Sequence, residues 1–311
     1  HMITTVTMNA ALDKAYFMTD EIKNGTVMRV SKSRTTAGGK GLNVARVIAL
    51  CGAKVQATGL VGGYNGQQLE HLLEQDGIPH SFGYVNGETR CCINILDPGY
   101  GSTEYLEPGF TVSPEEEKQF MDRLPQIIQD SDVVTISGSI PRGVSSDVYG
   151  KIISLAKGMG KKVILDSSGD TLKAGLRACP DMVKPNRDEM EQLFGEKLDS
   201  MEAVIACAEK IQAMGIPHVV VSLGGDGALL VCREGCYRAV IPRLEVVNTV
   251  GCGDSMVGAF AVALEKNYPP EKALKYAASV ATANALSPNT GDFEPKMAGI
   301  LMEQITVEKL K

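Results

Sequence analysis

Asn248-Thr249-Val250-Gly251-Cys252-Gly253-Asp254-Ser255 leads directly into Met256 to Leu264, nine residues without a charge. A glycine turn therefore opens an apolar helix. Free backbone N–H groups at a helix start form an anion site, and glycine lets the chain approach a phosphate closely. An aspartate at that place can take a proton from an attacking hydroxyl while the amides hold a transferring phosphoryl group. A plainer reading stands beside this one: Asp254 caps the helix and does no chemistry.

Outward from this junction, short β-branched runs alternate with longer stretches of helical period. The runs are Ile3 to Thr7, Val55 to Val61, Val133 to Ile136, Val163 to Leu165 and Val219 to Val221. Apolar residues at three and four spacing predict helices over Gly41 to Cys51, Gln67 to Gln75, Pro114 to Gln129, Asp147 to Met159, Met201 to Met214, Asp254 to Lys266 and Glu271 to Leu286. This rhythm belongs to an α/β fold with a mainly parallel sheet covered by helices on both faces. Ala15 to Thr36 and Glu88 to Phe110 break it. They read as short strands and turns able to pair into a small second sheet. Open parallel sheets bind ligands beyond the carboxyl ends of their strands. Polar or glycine-rich clusters follow the strands at Asn9 to Asp13, Gly62 to Gly66, Ser137 to Pro141, Asp166 to Gly169, Lys184 to Glu189 and Ser222 to Gly227. Six such clusters point to one shared crevice.

Composition narrows the function. With 44% hydrophobic and 22% charged residues in 311, the chain can bury a full core without metal or disulfide staples. A formal net charge of -6 gives no cationic surface for a nucleic-acid backbone or an anionic membrane, so any anionic ligand must be held by local groups. The eight cysteines are scattered without zinc spacing and read as reduced thiols of a cytoplasmic protein. No apolar run approaches the roughly 20 residues of a membrane span. The four histidines form no ligand pair, and no G-x-S-x-G elbow occurs.

Phosphoryl transfer needs a grip on the donor, and the chain lacks a G-x-x-x-x-G-K-[ST] loop. Val183-Lys184-Pro185-Asn186-Arg187-Asp188-Glu189 offers another: a lysine at a strand end for phosphates and a carboxylate for the waters of a magnesium ion. Asn186 with Glu189 also reads as a capping box. Ser222-Leu223-Gly224-Gly225-Asp226-Gly227 can cradle a nucleotide through its amides or simply turn a hairpin. Gly38-Gly39-Lys40-Gly41-Leu42-Asn43 opens a helix where a substrate hydroxyl can lie against Gly39 and Asn43. Its likeness to a dinucleotide fingerprint fails, because Val44 takes the third glycine position and Ser31 to Thr36 is too polar for a buried strand. A dinucleotide oxidoreductase is therefore disfavoured.

Over essentially its whole length the chain resembles the PfkB family of ribokinase-like carbohydrate kinases. The resemblance rests on Ala37-Gly38-Gly39-Lys40-Gly41-Leu42-Asn43-Val44-Ala45-Arg46 and on Asn248 to Ser255. Thr7 to Asp13, Gly87 to Arg90, Ser137 to Pro141, Leu165 to Gly169 and Val183 to Asn186 are similar to the branch that phosphorylates sugar phosphates. It implies one kinase domain over residues 1–311 with a β-sheet lid inserted at about 15–36 and 88–110. ATP, Mg2+ and a ketohexose phosphate would be its small-molecule ligands, with fructose 1-phosphate the first acceptor. Tagatose 6-phosphate and fructose 6-phosphate are the alternatives, and a catalytically silent binding protein of the same fold is the reading of another class. By the resemblance Asp254 is the general base, and Gly251, Cys252 and Gly253 line the anion hole. Asp13, Gly39, Asn43 and Ser137 hold the sugar, and Arg29, Lys40 and Arg90 face its phosphate. Lys184, Asn186, Ser222, Gly224, Gly227 and Asn284 serve the nucleotide, and Glu189 lies near magnesium through water. A homodimer through the lid is implied too. Ala10, Arg142 and Cys252 depart from the family pattern. Arg142 is expected in solvent, and Cys252, at a helix start, is expected to be a reactive thiol that ATP shields.

Overall fold

The computed structural model describes all of residues 1–311. The front of the chain holds β1 (Ile3–Thr7), β2 (Ala11–Phe17), β3 (Lys32–Gly38), α1 (Lys40–Leu50), β4 (Val55–Val61), α2 (Gly63–Gln75), β5 (His80–Tyr84), β6 (Arg90–Asp97) and β7 (Gly101–Leu106). The middle holds α3 (Pro114–Ile128), β8 (Val133–Ser137), α4 (Val148–Gly158), β9 (Lys162–Asp166), α5 (Gly169–Arg177), β10 (Met182–Val183), α6 (Arg187–Phe194), α7 (Met201–Ala213) and β11 (His218–Ser222). The rest is β12 (Ala228–Cys232), β13 (Gly235–Val240), α8 (Cys252–Glu265), α9 (Pro270–Ala285), α10 (Pro295–Gln304) and β14 (Thr306–Lys309).

Ten strands form the main sheet in the order β14-β13-β12-β11-β10-β9-β8-β1-β4-β5. From β11 to β5 every pairing is parallel, and the hairpins β11-β12-β13 and the last strand β14 close the other end antiparallel. The chain leaves β1 for β4 on one side and returns to β8 on the other. This reversal opens a crevice beyond the carboxyl end of β1, where such sheets bind ligands.

Alternation along the buried strands sends Ile3, Val133 and Ile164 to one face and Val6, Ile136 and Leu165 to the other. The first face packs under α1, α8 and α9, and the second under α3, α4 and α7. From Asp254 to Ala263, α8 is buried on all sides, as expected of a helix without a charged face beyond its first turn. No helix is long and apolar enough to cross a membrane.

The two irregular stretches do form a second sheet, ordered β3-β2-β6-β7. It begins earlier than expected: β2 starts at Ala11, so Asp13 sits on a lid strand, in register with Cys92 of β6 and Thr36 of β3. The polar run Ser31 to Thr36 lies largely in β3, whose first residues are exposed, which explains why it does not read as a buried strand. Three helices escaped the periodicity reading: α5, α6 and α10, of 9, 8 and 10 residues. Each is too short for an apolar face to repeat more than about twice.

Candidate functional site

Between the carboxyl ends of the central strands and the lid lies a cleft of about 540 Å3. It is lined by Asp13, Gly39, Lys40, Asn43, Arg90, Ser137, Lys184, Asn186, Glu189, Gly251, Gly253 and Asp254. Segments from near both ends of the chain, Asp13 and Asp254 among them, are thus brought to one place. Arg29, Cys252, Ser222, Gly224, Gly227 and Asn284 are not in the lining.

Asp254 occupies the third position of α8. Gly251 holds the N-cap position with φ 87, a left-handed backbone that a side chain would strain. A Cβ there would also come within 2.9 Å of the Gly291 nitrogen. No side chain caps this helix, so the capping reading of Asp254 fails. The carboxylate is 5% exposed and its Oδ2 accepts a hydrogen bond from Asn43 Nδ2 at 3.1 Å. Its Oδ1 has no hydrogen-bond partner, with Lys40 Nζ 3.7 Å away. Burial pushes its pKa up; Lys40, the Asn43 amide and Lys184 pull it down, and Asp166 adds to the rise.

Asp166, at the end of β9, ties this floor together. Lys40 Nζ lies 3.4 Å from its Oδ2 and Lys184 Nζ 3.9 Å from its Oδ1. The two acids hold the Lys40 pKa well above the ordinary lysine value. The sequence marked the cluster Asp166 to Gly169 but not the aspartate. Its signal was an acid one residue past a buried apolar run, flanked in space by two lysines.

On the sugar side, Asp13 lies over Gly38, where a Cβ would sit 2.0 Å from its Oδ2. Burial raises its pKa to about 6, against the pull of Arg46, a Gly39 backbone hydrogen bond and Arg90. The Ser137 hydroxyl is buried without a partner. Arg90 donates from Nη2 to the Asn9 carbonyl at 3.0 Å and from Nη1 to the Glu107 carbonyl at 3.4 Å, while its Nε has no partner. Arg34, which the sequence reading passed over, also faces the cleft from β3, with Nη1 4.0 Å from Asp292 Oδ2.

On the other side, Asn186 and Glu189 make the reciprocal capping box of α6, and both line the cleft. The box uses Glu189 Oε1, leaving Oε2 outside it. Burial raises the Glu189 pKa. No group of three acids, cysteines or histidines is placed to enclose a metal ion. These residues therefore fit an ion carried chiefly by phosphates and water, as magnesium usually is. Ser222 bridges to Asn186, and Gly224 and Gly227 form the turn after it, which is also the hairpin between β11 and β12.

Three expectations change. Arg29 is exposed on the segment between β2 and β3, away from the cleft. Asn284 is fully buried: its Nδ2 donates to the Val250 carbonyl at 3.2 Å and to Cys252 Sγ at 3.4 Å, and its Oδ1 accepts from Asp292 N at 3.0 Å. It braces the glycine loop from behind and does not line the cleft. Cys252 points the same way, so burial and the neighbouring Asp254 raise its thiol pKa rather than lower it. Arg142 is exposed, as expected, and donates to the Gly109 carbonyl at 2.7 Å.

Comparison with known proteins agrees with this architecture. The pfkB family carbohydrate kinase profile matches residues 6–297. Tagatose-6-phosphate kinase of Staphylococcus epidermidis is 39% identical over 310 residues, covering 98% of this chain and 99% of the relative. The structure of phosphofructokinase-2 from Escherichia coli in complex with potassium superposes with a TM-score of 0.90 at 31% identity, covering 97% of this chain and 98% of that one. A possible 1-phosphofructokinase from Thermotoga maritima superposes with a TM-score of 0.89 at 28% identity over 100% of both chains. The fold is the ribokinase-like α/β fold with its separate small sheet, and the chain belongs to the pfkB family of carbohydrate kinases.

Proposed function

We propose that the cleft transfers the terminal phosphoryl group of ATP to a hydroxyl of a ketohexose phosphate. The observation that carries this reading is Asp254 Oδ1: a buried carboxylate oxygen without a hydrogen-bond partner, lining the cleft at a helix start. A base with a raised pKa is better matched to taking a hydroxyl proton near neutrality. Asp254 accepts the proton of the sugar hydroxyl as that oxygen bonds to the γ-phosphorus. The bond from phosphorus to the bridging oxygen breaks, and its electron pair leaves with ADP. The amides of Gly251, Cys252 and Gly253 face the charge that develops on the transferring group. A Cβ at Gly253 would come within 3.2 Å of Lys184 Nζ, so the glycine keeps that cation close to the loop.

Asp13, Gly39, Asn43 and Ser137 hold the sugar, and Arg90 with Lys40 holds its phosphate. Lys184, Asn186, Ser222, Gly224 and Gly227 serve the nucleotide. Glu189 would hold a magnesium ion through water, and that ion would neutralise charge on the nucleotide phosphates. A second copy is proposed to cover the lid, where Tyr100, Tyr105 and Leu106 are each more than 60% exposed; sedimentation measures it. Eight free thiols support a reducing, cytoplasmic setting.

Fructose 1-phosphate is the acceptor the sequence resemblance favours. The 39% identity to tagatose-6-phosphate kinase favours a second reading, tagatose 6-phosphate. A coupled ADP-release assay with both, fructose 6-phosphate and free fructose separates them by kcat/KM. Comparable efficiency on free fructose would remove the sugar-phosphate assignment, and no turnover on any sugar would favour a silent binding protein.

A further inference from the structure

One turn after Asn43, α1 carries a charged residue that phosphoryl transfer leaves unused. Arg46 is 7% exposed among Val44, Ala45, Val47 and Ile48, all buried. Its Nη1 and Nη2 donate to the Ala37 carbonyl at 3.1 and 3.3 Å, and Nη2 donates to Asn43 Oδ1 at 3.0 Å. The other end of that amide, Asn43 Nδ2, donates to Asp254 Oδ2 at 3.1 Å. A guanidinium only donates and a carboxylate only accepts. The amide between them therefore satisfies both in one orientation alone. Turned over, it would set its carbonyl against Asp254 and its NH2 against Arg46, leaving buried groups without partners.

We propose that Arg46 is a positioning residue for phosphoryl transfer, locking the Asn43 amide so that it donates to Asp254 and tying it to the turn from Ala37 into Gly38 and Gly39. The inference rests on Asp254 acting as the base. A structural arginine needs only a carbonyl to bind, and Ala37 supplies one. The bond to Asn43 is what a structural role does not require.

The surrounding charges fit this role. Around Asp13, Arg46 opposes the effect of burial more than Arg90 does, while Asp254 adds to it. Asp76, Asp13 and Asp292 favour the Arg46 cation, and burial and Arg34 oppose it. At Asp254 the facing charges are Lys40, Asp166, Lys184 and Asp13, with the Asn43 amide the neutral donor.

The test is a cycle of Arg46→Met and Arg46→Lys, each alone and combined with Asn43→Ala. Arg46→Met is expected to lower kcat about 10- to 100-fold, the scale of a misaligned catalytic group, with the KM for ATP unchanged. The acid limb of its kcat profile should move to higher pH, because Asp254 loses a donor that favours its charged form. Arg46→Lys, which restores one donor, should recover most of the rate, and Arg46→Met with Asn43→Ala should be no slower than Asn43→Ala alone. If Arg46→Met does not fold, Arg46→Gln gives the same readouts, because its amide lets Asn43 turn over. Losses that multiply in the double variant, or an acid limb that stays in place, would overturn the proposal. Near-normal turnover in Asp254→Asn would instead remove Asp254 as the base. The Arg46–Asn43 coupling would then remain measurable in thermal unfolding.

Discussion

On the floor of the cleft Asp166, Asp254, Asn43 and Lys184 are all buried, whereas on β7 of the lid every residue but Thr103 is exposed. The floor hangs from strand ends and helix starts whose backbones are fixed by two apolar cores. Its charges are paired with one another, Lys40 and Lys184 against Asp166. The lid is a four-stranded sheet whose end strand β7 is exposed along nearly its whole length. Groups that must hold sub-ångström geometry during bond transfer sit where packing fixes them, and groups that meet a variable substrate sit where the chain can adjust. On the proposed reading the floor carries the bond transfer and part of acceptor recognition, to which the lid adds Asp13 and Arg90.

The largest expected effect tests the floor. Asp254→Asn keeps the shape of the side chain and removes the base. It should lower kcat by about 10² to 10⁴-fold, the range for a positioned general base, with nucleotide binding unchanged in a titration. Near-normal turnover would show that Asp254 only shapes the helix start.

Next comes the lid. Arg90→Ala should cost about 2 to 4 kcal/mol in kcat/KM toward the sugar phosphate, from one or two charged hydrogen bonds. Free sugar should be affected little. An equal loss on both acceptors would mean that Arg90 works through its bonds to the Asn9 and Glu107 carbonyls, as scaffold for the lid rather than as a phosphate ligand.

A smaller effect separates support from chemistry. Asn284→Ala leaves the Val250 carbonyl and the Asp292 N–H without their partner and should destabilise the fold by about 1 to 3 kcal/mol. Chemical denaturation measures it. The KM for ATP should then change less than stability does, whereas an adenine contact would show the reverse.

The same contrast explains what could be read from the sequence. The glycine loop before α8 and the run Ala37 to Arg46 were legible because glycine at a helix start has few purposes, and most of the floor follows from those two segments. Asp166 went unassigned because its importance lies in two lysines from other elements, Lys40 and Lys184, which no local pattern brings together. Asn284 was expected beside a nucleotide, and the structure instead buries it behind the glycine loop. Sequence spacing puts it on the helix after α8, but only the packing of α9 against α8 decides which way its amide points. Arg29 stands on a lid segment whose course neither period nor propensity fixes.

Cys252 gives the smallest expected effect and the sharpest test of how closed the floor is. Two influences compete at its sulfur. The start of α8 favours a thiolate, but by only about 0.3 to 1 kcal/mol, which is less than one pKa unit. Burial opposes it, and so does Asp254 two residues on; the Asn284 amide, 3.4 Å from Sγ, offsets part of this. Burial wins, and the thiol pKa is raised rather than lowered. Alkylation near pH 7.5 should therefore be slower at Cys252 than at a small free thiol, with ATP making no difference. Cys252→Ala should keep kcat within about threefold, an effect below 1 kcal/mol, because the contribution proposed for it is a backbone N–H that alanine retains. Rapid labelling of Cys252 that ATP suppresses would mean that the glycine loop opens away from Asn284 in the free enzyme. The floor would then be less closed than its burial implies.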